Sequence, residues 1–204
     1  MKLCSQLRAL GFLALCVAAR PATSSAALTT TDQQNMTFNN TSGGFGGTAT
    51  TGFGQSFTPT LSTLNAATFS LATEGASSTV QLRLFSGAGY GGTLLATSAA
   101  VTFTNTALQT TEFGFPTPVA LTPGTTYTFQ LAVPTGSTYS SVYSDANPYA
   151  GGLVYNASGG GFPTLDFVFA EGTNSALAPE PSTWALVGLG IAGLGLMVRR
   201  RLVT

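Results

Sequence analysis

The sequence predicts an all-β chain: an antiparallel β-sandwich, jelly-roll-like, flanked by an N-terminal signal peptide and a C-terminal transmembrane helix. Three observations carry the fold class. Apolar and polar residues alternate at period two in Thr79–Phe85, in Thr126–Val133 and through Leu165, Phe167 and Phe169. Such runs recur at intervals of about 10 to 15 residues, punctuated by Gly, Pro, Asn and Ser. Between the two ends no stretch has the 3.6-residue periodicity of an amphipathic helix. Strands with one apolar face each cannot bury that face alone, so two sheets must pack together.

The elements follow in chain order. Residues 1–27 read as a signal peptide, with Lys2 and Arg8 ahead of the apolar run ALGFLALCVAA and small residues after it. That run is too short for a bilayer core, which needs about 20 residues. Cys16 lacks the small preceding residue of a lipidation box, since Leu15 stands there. Residues 28–54 are rich in Thr, Asn and Gly and read as a flexible lead-in or an edge strand with turns. The sandwich is expected over 55–172. In Thr79–Phe85, Val80, Leu82 and Leu84 share the inner face while Gln81 and Arg83 point out. In Thr126–Val133, Tyr127, Phe129, Leu131 and Val133 oppose Thr126, Thr128 and Gln130. Further strands are expected at Gln55–Thr58, Ala66–Ala72, Leu94–Thr104, Gln109–Phe115, Tyr139–Tyr143 and Gly152–Tyr155. Leu121-Thr122-Pro123-Gly124-Thr125 reads as a type II turn. A linker, 173–178, precedes the terminal segment 179–204.

Charge narrows the function classes. Between the ends Arg83 is the sole basic residue, facing Asp32, Glu74, Glu112, Asp145, Asp166 and Glu171. Such a domain has no basic patch with which to neutralise phosphates, so nucleic-acid binding is excluded. The chain contains no histidine, which removes Ser-His-Asp, Cys-His and His-zinc chemistry. Both cysteines, Cys4 and Cys16, fall in the signal peptide, so the trimmed chain has no thiol. A carboxylate pair of the glycoside-hydrolase kind is the one catalytic arrangement left; six acids offer many pairs, and the sequence gives no separation for any of them. Asp166, between Leu165 and Phe167, reads as an outward, solvated residue. The expectation is a non-enzymatic protein without a cofactor.

The terminal segment is the most specific feature. Trp184–Val198 is uncharged, and Arg199, Arg200 and Arg201 follow at once. The span is short for a bilayer, with Trp184 placed for one interface and the arginines for the other. Positive charge marks the cytoplasmic side, which leaves the body of the chain outside. Pro179, Glu180 and Pro181 stand just ahead of the span. This order resembles the PEP-CTERM sorting signal of bacteria that make extracellular polysaccharide. The resemblance implies processing near Pro179-Glu180-Pro181 by a membrane enzyme, an exosortase. It also implies transient anchoring in the inner membrane and delivery to the cell surface or extracellular matrix. A softer resemblance covers about residues 53–170: Gly54-Gln55-Ser56-Phe57-Thr58, Gly92-Thr93-Leu94-Leu95-Ala96, LTPGTTYTFQL and YSDANPYAGG are similar to a loose group of exported bacterial β-sandwich domains. That group implies fold and location, with no catalytic residues to carry over.

One internal segment, Tyr139–Tyr155, gathers four tyrosines around Asp145 and Asn147. Tyrosine rings stack on sugar faces while Asp and Asn bind hydroxyls, making Tyr143, Asp145, Asn147 and Tyr149 candidate sugar contacts. Asp145 and Asn147 equally suit Ca²⁺, a hard cation that takes oxygen ligands. The third reading is core tyrosines joined by a turn. The chain therefore reads as an exported structural or adhesive protein of an exopolysaccharide matrix or biofilm, with a carbohydrate-binding module as the alternative.

Overall fold

The computed structural model describes residues 28–174. The signal peptide 1–27, the sorting motif 179–204 with its membrane span 184–198, and all but the first two residues of the linker lie outside the described residues. Fourteen strands follow one another without a helix between them: β1 (Thr30–Asn35), β2 (Asn40–Phe45), β3 (Gly54–Phe57), β4 (Thr63–Thr73), β5 (Ser78–Ser86), β6 (Leu94–Thr97) and β7 (Val101–Phe103). They continue with β8 (Gln109–Ala120), β9 (Tyr127–Ala132), β10 (Tyr139–Ser144), β11 (Val154–Tyr155), β12 (Gly161–Phe162), β13 (Asp166–Phe167) and β14 (Phe169–Thr173). Two antiparallel sheets result. One runs β1-β14-β4-β10-β13, with β8 on the far side of β4 and β2 on β10. The other runs β12-β11-β3-β9-β5-β6, with β7 on β5.

The alternation read from sequence sets which side chains meet between the sheets. Val80, Leu82 and Leu84 are fully buried, as are Phe129, Leu131 and Val133. Phe57 of β3 stacks on Phe129 of β9, ring centroids 4.4 Å apart. Phe69 of β4 meets the same ring edge-on from the opposite sheet at 6.0 Å. Both contacts have geometries that aromatic quadrupoles favour, each adding about 0.5–1.5 kcal/mol beyond area burial. The expected turn is present: Gly124 has φ +76, and the Thr125 N–H donates to Thr122 O at 3.1 Å. Pro116 and Pro118 sit where β8 bulges away from β4, between the Gly114 and Val119 pairings. On an edge strand that bulge removes no needed ladder bond.

Three expectations are corrected. The segment 28–54 is not a loose lead-in: β1 pairs with β14 and β2 with β10, so the sandwich opens at Thr30. Strand pairing is a backbone property, and polar edge strands need no apolar stripe to form it. Thr128 and Gln130 are buried rather than solvated. The loop after β5 folds over the outer face of β9, where Gly89 N–H donates to Thr128 Oγ1 at 2.9 Å and Thr128 Oγ1 donates to Gly87 O at 2.8 Å. Arg83, beside them, donates to Gln130 Oε1 at 2.8 Å and lies 4.9 Å from the centre of the Phe85 ring. Asp166, third, is fully buried, for reasons given next.

Candidate functional site

The four tyrosines of 139–155 do not form one surface. Tyr139, inward on β10, is wholly buried, and burial pushes its phenol well above the ordinary range. Its hydroxyl has no hydrogen-bond partner. Tyr143, two turns of the pleat further on, is half-buried in the wall of an open cavity of about 130 Å³. Phe45, Phe53, Phe162, Leu165 and Phe167 complete most of that wall. Tyr155 packs near Tyr90 at 6.0 Å between ring centres, and its carbonyl accepts from the Tyr90 hydroxyl at 3.3 Å.

Tyr149 points elsewhere. Its ring meets Phe169 edge-on at 5.2 Å, its hydroxyl accepts from Thr58 N–H at 3.1 Å, and the same hydroxyl donates to Gln33 Oε1 at 3.2 Å. Asp145 is exposed and accepts from the Asn39 amide at 2.6 Å, which holds its carboxyl below the usual range together with Asn40. Asn147 turns the chain at φ +46 and donates its N–H to Thr164 O at 3.0 Å. Of the four candidates, then, Tyr143 lines a cavity, Tyr149 belongs to the interior, and Asp145 and Asn147 shape a surface turn. Among the described residues, no three His, Cys, Asp or Glu side chains cluster as a metal group.

The interior holds polar groups that sequence reasoning missed. Gln55 of β3 reaches across to the other sheet: its Nε2 donates to Asp166 Oδ1 at 2.9 Å, and its Oε1 accepts from Phe167 N–H at 2.9 Å. Asp166 Oδ2 accepts from Tyr149 N–H at 3.0 Å. Burial raises the Asp166 pKa, and those two donors offset part of the rise. An outward position at period two predicted solvent here. The 149–153 segment instead folds across that face and supplies a backbone donor.

A second cluster lies where β1 meets β14. The register shifts between Thr31 and Gln33, which makes Asp32 an extra, bulged residue beside the Gln33–Glu171 pair. Bulges re-aim side chains. Asp32 accepts from Thr60 N–H at 2.7 Å, Leu61 N–H at 2.8 Å, the Gln33 amide at 3.1 Å and the Thr60 hydroxyl. Burial acts to raise its pKa, but these four donors together bring it below the usual carboxylate range. Glu171 is 1% exposed, and one of its oxygens, Oε1, has no hydrogen-bond partner. Desolvation first, and the Asp32 charge second, push Glu171 up to about 8. The sequence did hold a signal for it. Extending the Leu165, Phe167, Phe169 alternation by one step puts Glu171 on the inner face.

The candidate sorting residues Pro179, Glu180, Pro181, Trp184, Arg199, Arg200 and Arg201 lie outside the described residues. Comparison with known families assigns them nonetheless: the PEP-CTERM protein-sorting motif matches residues 177–201. No curated protein matches the chain.

Proposed function

We propose that this chain is a non-enzymatic protein of the cell surface or exopolysaccharide matrix, whose sandwich acts as a structural or adhesive body. The observation that carries the proposal is the PEP-CTERM motif at 177–201, which marks an exported protein handled by an exosortase. The last strand ends at Thr173, so only a few residues separate the folded body from the motif. Cleavage near Pro179 would detach the membrane-directed tail and leave the sandwich whole.

The interior supports a structural role. Glu171 is sealed from solvent on the strand that pairs with β1. The second acidic site, Asp166, is committed to holding the two sheets together. Intact mass of the native protein in membrane and culture fractions tests the proposal. A species ending near residues 178–182 and enriched outside the cell is the expected result. A tail retained through Thr204, found only in membranes, overturns it.

One observation favours carbohydrate binding as a second reading: Tyr143 lines an open aromatic cavity. A glycan array on the processed protein separates the two. Selective binding that Tyr143→Ala abolishes favours a binding module, and a blank array favours the structural body.

A further inference from the structure

Five aromatic rings from both sheets line the open cavity of about 130 Å³: Phe45 of β2, Phe53 just before β3, Tyr143 of β10, Phe162 of β12 and Phe167 of β13. Phe45 meets Phe53 at 68° with centroids 4.8 Å apart, and Phe167 at 82° and 5.5 Å. These rings therefore stand as adjoining walls rather than as a flat stack. Phe167 is buried, while Phe162 is 38% exposed and stands at the rim. Two aliphatic side chains complete the lining. Among the described residues, the Tyr143 hydroxyl is its sole polar side-chain group, and no charged side chain takes part.

That chemistry is selective. A sugar or a primary ammonium enclosed here would leave most of its O–H or N–H groups without partners, at the cost of their hydration. A quaternary ammonium has no N–H to satisfy and is drawn to the faces of aromatic rings. Charge favours a cation as well. Six acids face one basic residue between the chain's ends, and Arg83 is engaged on the outer face of the other sheet by Gln130, by the Thr50 carbonyl and by the Phe85 ring. Asp145 brings one of the six acids to the Tyr143 corner: it accepts from the Asn39 amide, and Asn39 N–H donates to Tyr143 O at 3.3 Å.

We propose that this cavity is an aromatic cage for a small, soluble quaternary ammonium cation of the choline type. The rings attract the charge, and the aliphatic side chains pack against its methyl groups. The space is well below the roughly 300–1,000 Å³ of pockets that enclose larger ligands, so it suits one compact head group rather than an acyl chain. The inference rests on the carbohydrate reading only for the cavity itself and gives that cavity a ligand of another class.

The test is calorimetric titration of the full-length protein, in a nonionic detergent, with three probes: choline, its uncharged isostere in which carbon replaces the nitrogen, and phosphocholine. Choline is expected to bind at one site per chain, at least about tenfold more tightly than the isostere. Phosphocholine, whose phosphate meets an acidic domain, should bind more weakly than choline. Phe162→Ala and Phe162→Leu alter a rim residue, so both should melt as the parent does. Neither presents a ring, and each should bind choline at least about fivefold more weakly. Tyr143→Phe keeps its ring and should bind as the parent does. No heat with millimolar choline overturns the proposal, as does equal binding of the isostere or full binding by Phe162→Leu. Phosphocholine bound more tightly than choline makes the ligand a lipid head group and also overturns it. Choline binding beside a blank glycan array supports the cage and removes the carbohydrate reading. A selective glycan signal lost in Tyr143→Phe, with no choline bound, returns the cavity to sugars and overturns the cage.

Discussion

Replacing Gln55 by Leu tests how the two sheets are joined. The side chain is fully buried and makes three hydrogen bonds: to Ser56 O at 3.0 Å, to Asp166 Oδ1 at 2.9 Å and from Phe167 N–H at 2.9 Å. Leucine conserves volume, so the cavity term is small and the polar terms decide. Orphaning the Phe167 N–H costs about 1–3 kcal/mol, and a lost bond to a buried carboxylate costs about 1.5–3 more. The expected loss is therefore about 3–5 kcal/mol, a large share of the roughly 5–15 kcal/mol that holds a domain together. At about 3 °C per kcal/mol for a domain of this size, Tm should fall by roughly 10–15 °C. Equilibrium urea unfolding followed by circular dichroism should show the midpoint falling with an unchanged slope. A loss under about 1 kcal/mol would mean that Asp166 and Phe167 find other partners, and the cross-sheet bridge would not be a source of stability.

The remaining predictions are briefer. Gln55→Glu sets a second carboxyl against Asp166. Its folded pKa should rise above the ordinary value of about 4.3, so stability is full below that value and is lost as pH rises, a slope that pH-dependent melts would expose. Gly54→Ala drives a Cβ to 1.8 Å from the Phe129 carbonyl oxygen in the adjacent strand, and should cost about 3 kcal/mol or more, or prevent folding, as expression yield and melts would report. Tyr139→Phe removes a buried hydroxyl that has no partner, so stability should stay level or rise by about 1 kcal/mol in urea titration. If processing falls near Pro179-Glu180-Pro181 as proposed, changing Pro179 and Pro181 to Ala should leave the tail uncleaved in the native host, visible as retained mass in the membrane fraction; both prolines lie inside the motif match at 177–201.

The fold class was legible because period-two alternation is a local property. Val80, Leu82 and Leu84 must share a face whatever the topology, and burial of that face follows. The candidate site was less legible. Tyr143 and Tyr149 are six residues apart in sequence, yet one faces a cavity between the sheets and the other faces Gln33 and Thr58. Asp32 and Glu171 are separated by most of the sandwich, and only the pairing of β1 with β14 brings them together. No local pattern announces a contact of that range.

By itself the sequence determined the strand periodicity, the single basic residue between the ends, the absence of histidine, and the order of the terminal sorting motif. Each is a property of adjacent residues or of composition. Only the tertiary structure decided that a polar Thr/Asn-rich stretch would join the sheets as β1 and β2, since backbone pairing does not require an apolar stripe. It alone decided that Asp166 would be buried and that Glu171 would lie beside β1. Whether an alternating position meets water depends on which distant segment crosses it, and that is settled by the packing of the whole chain.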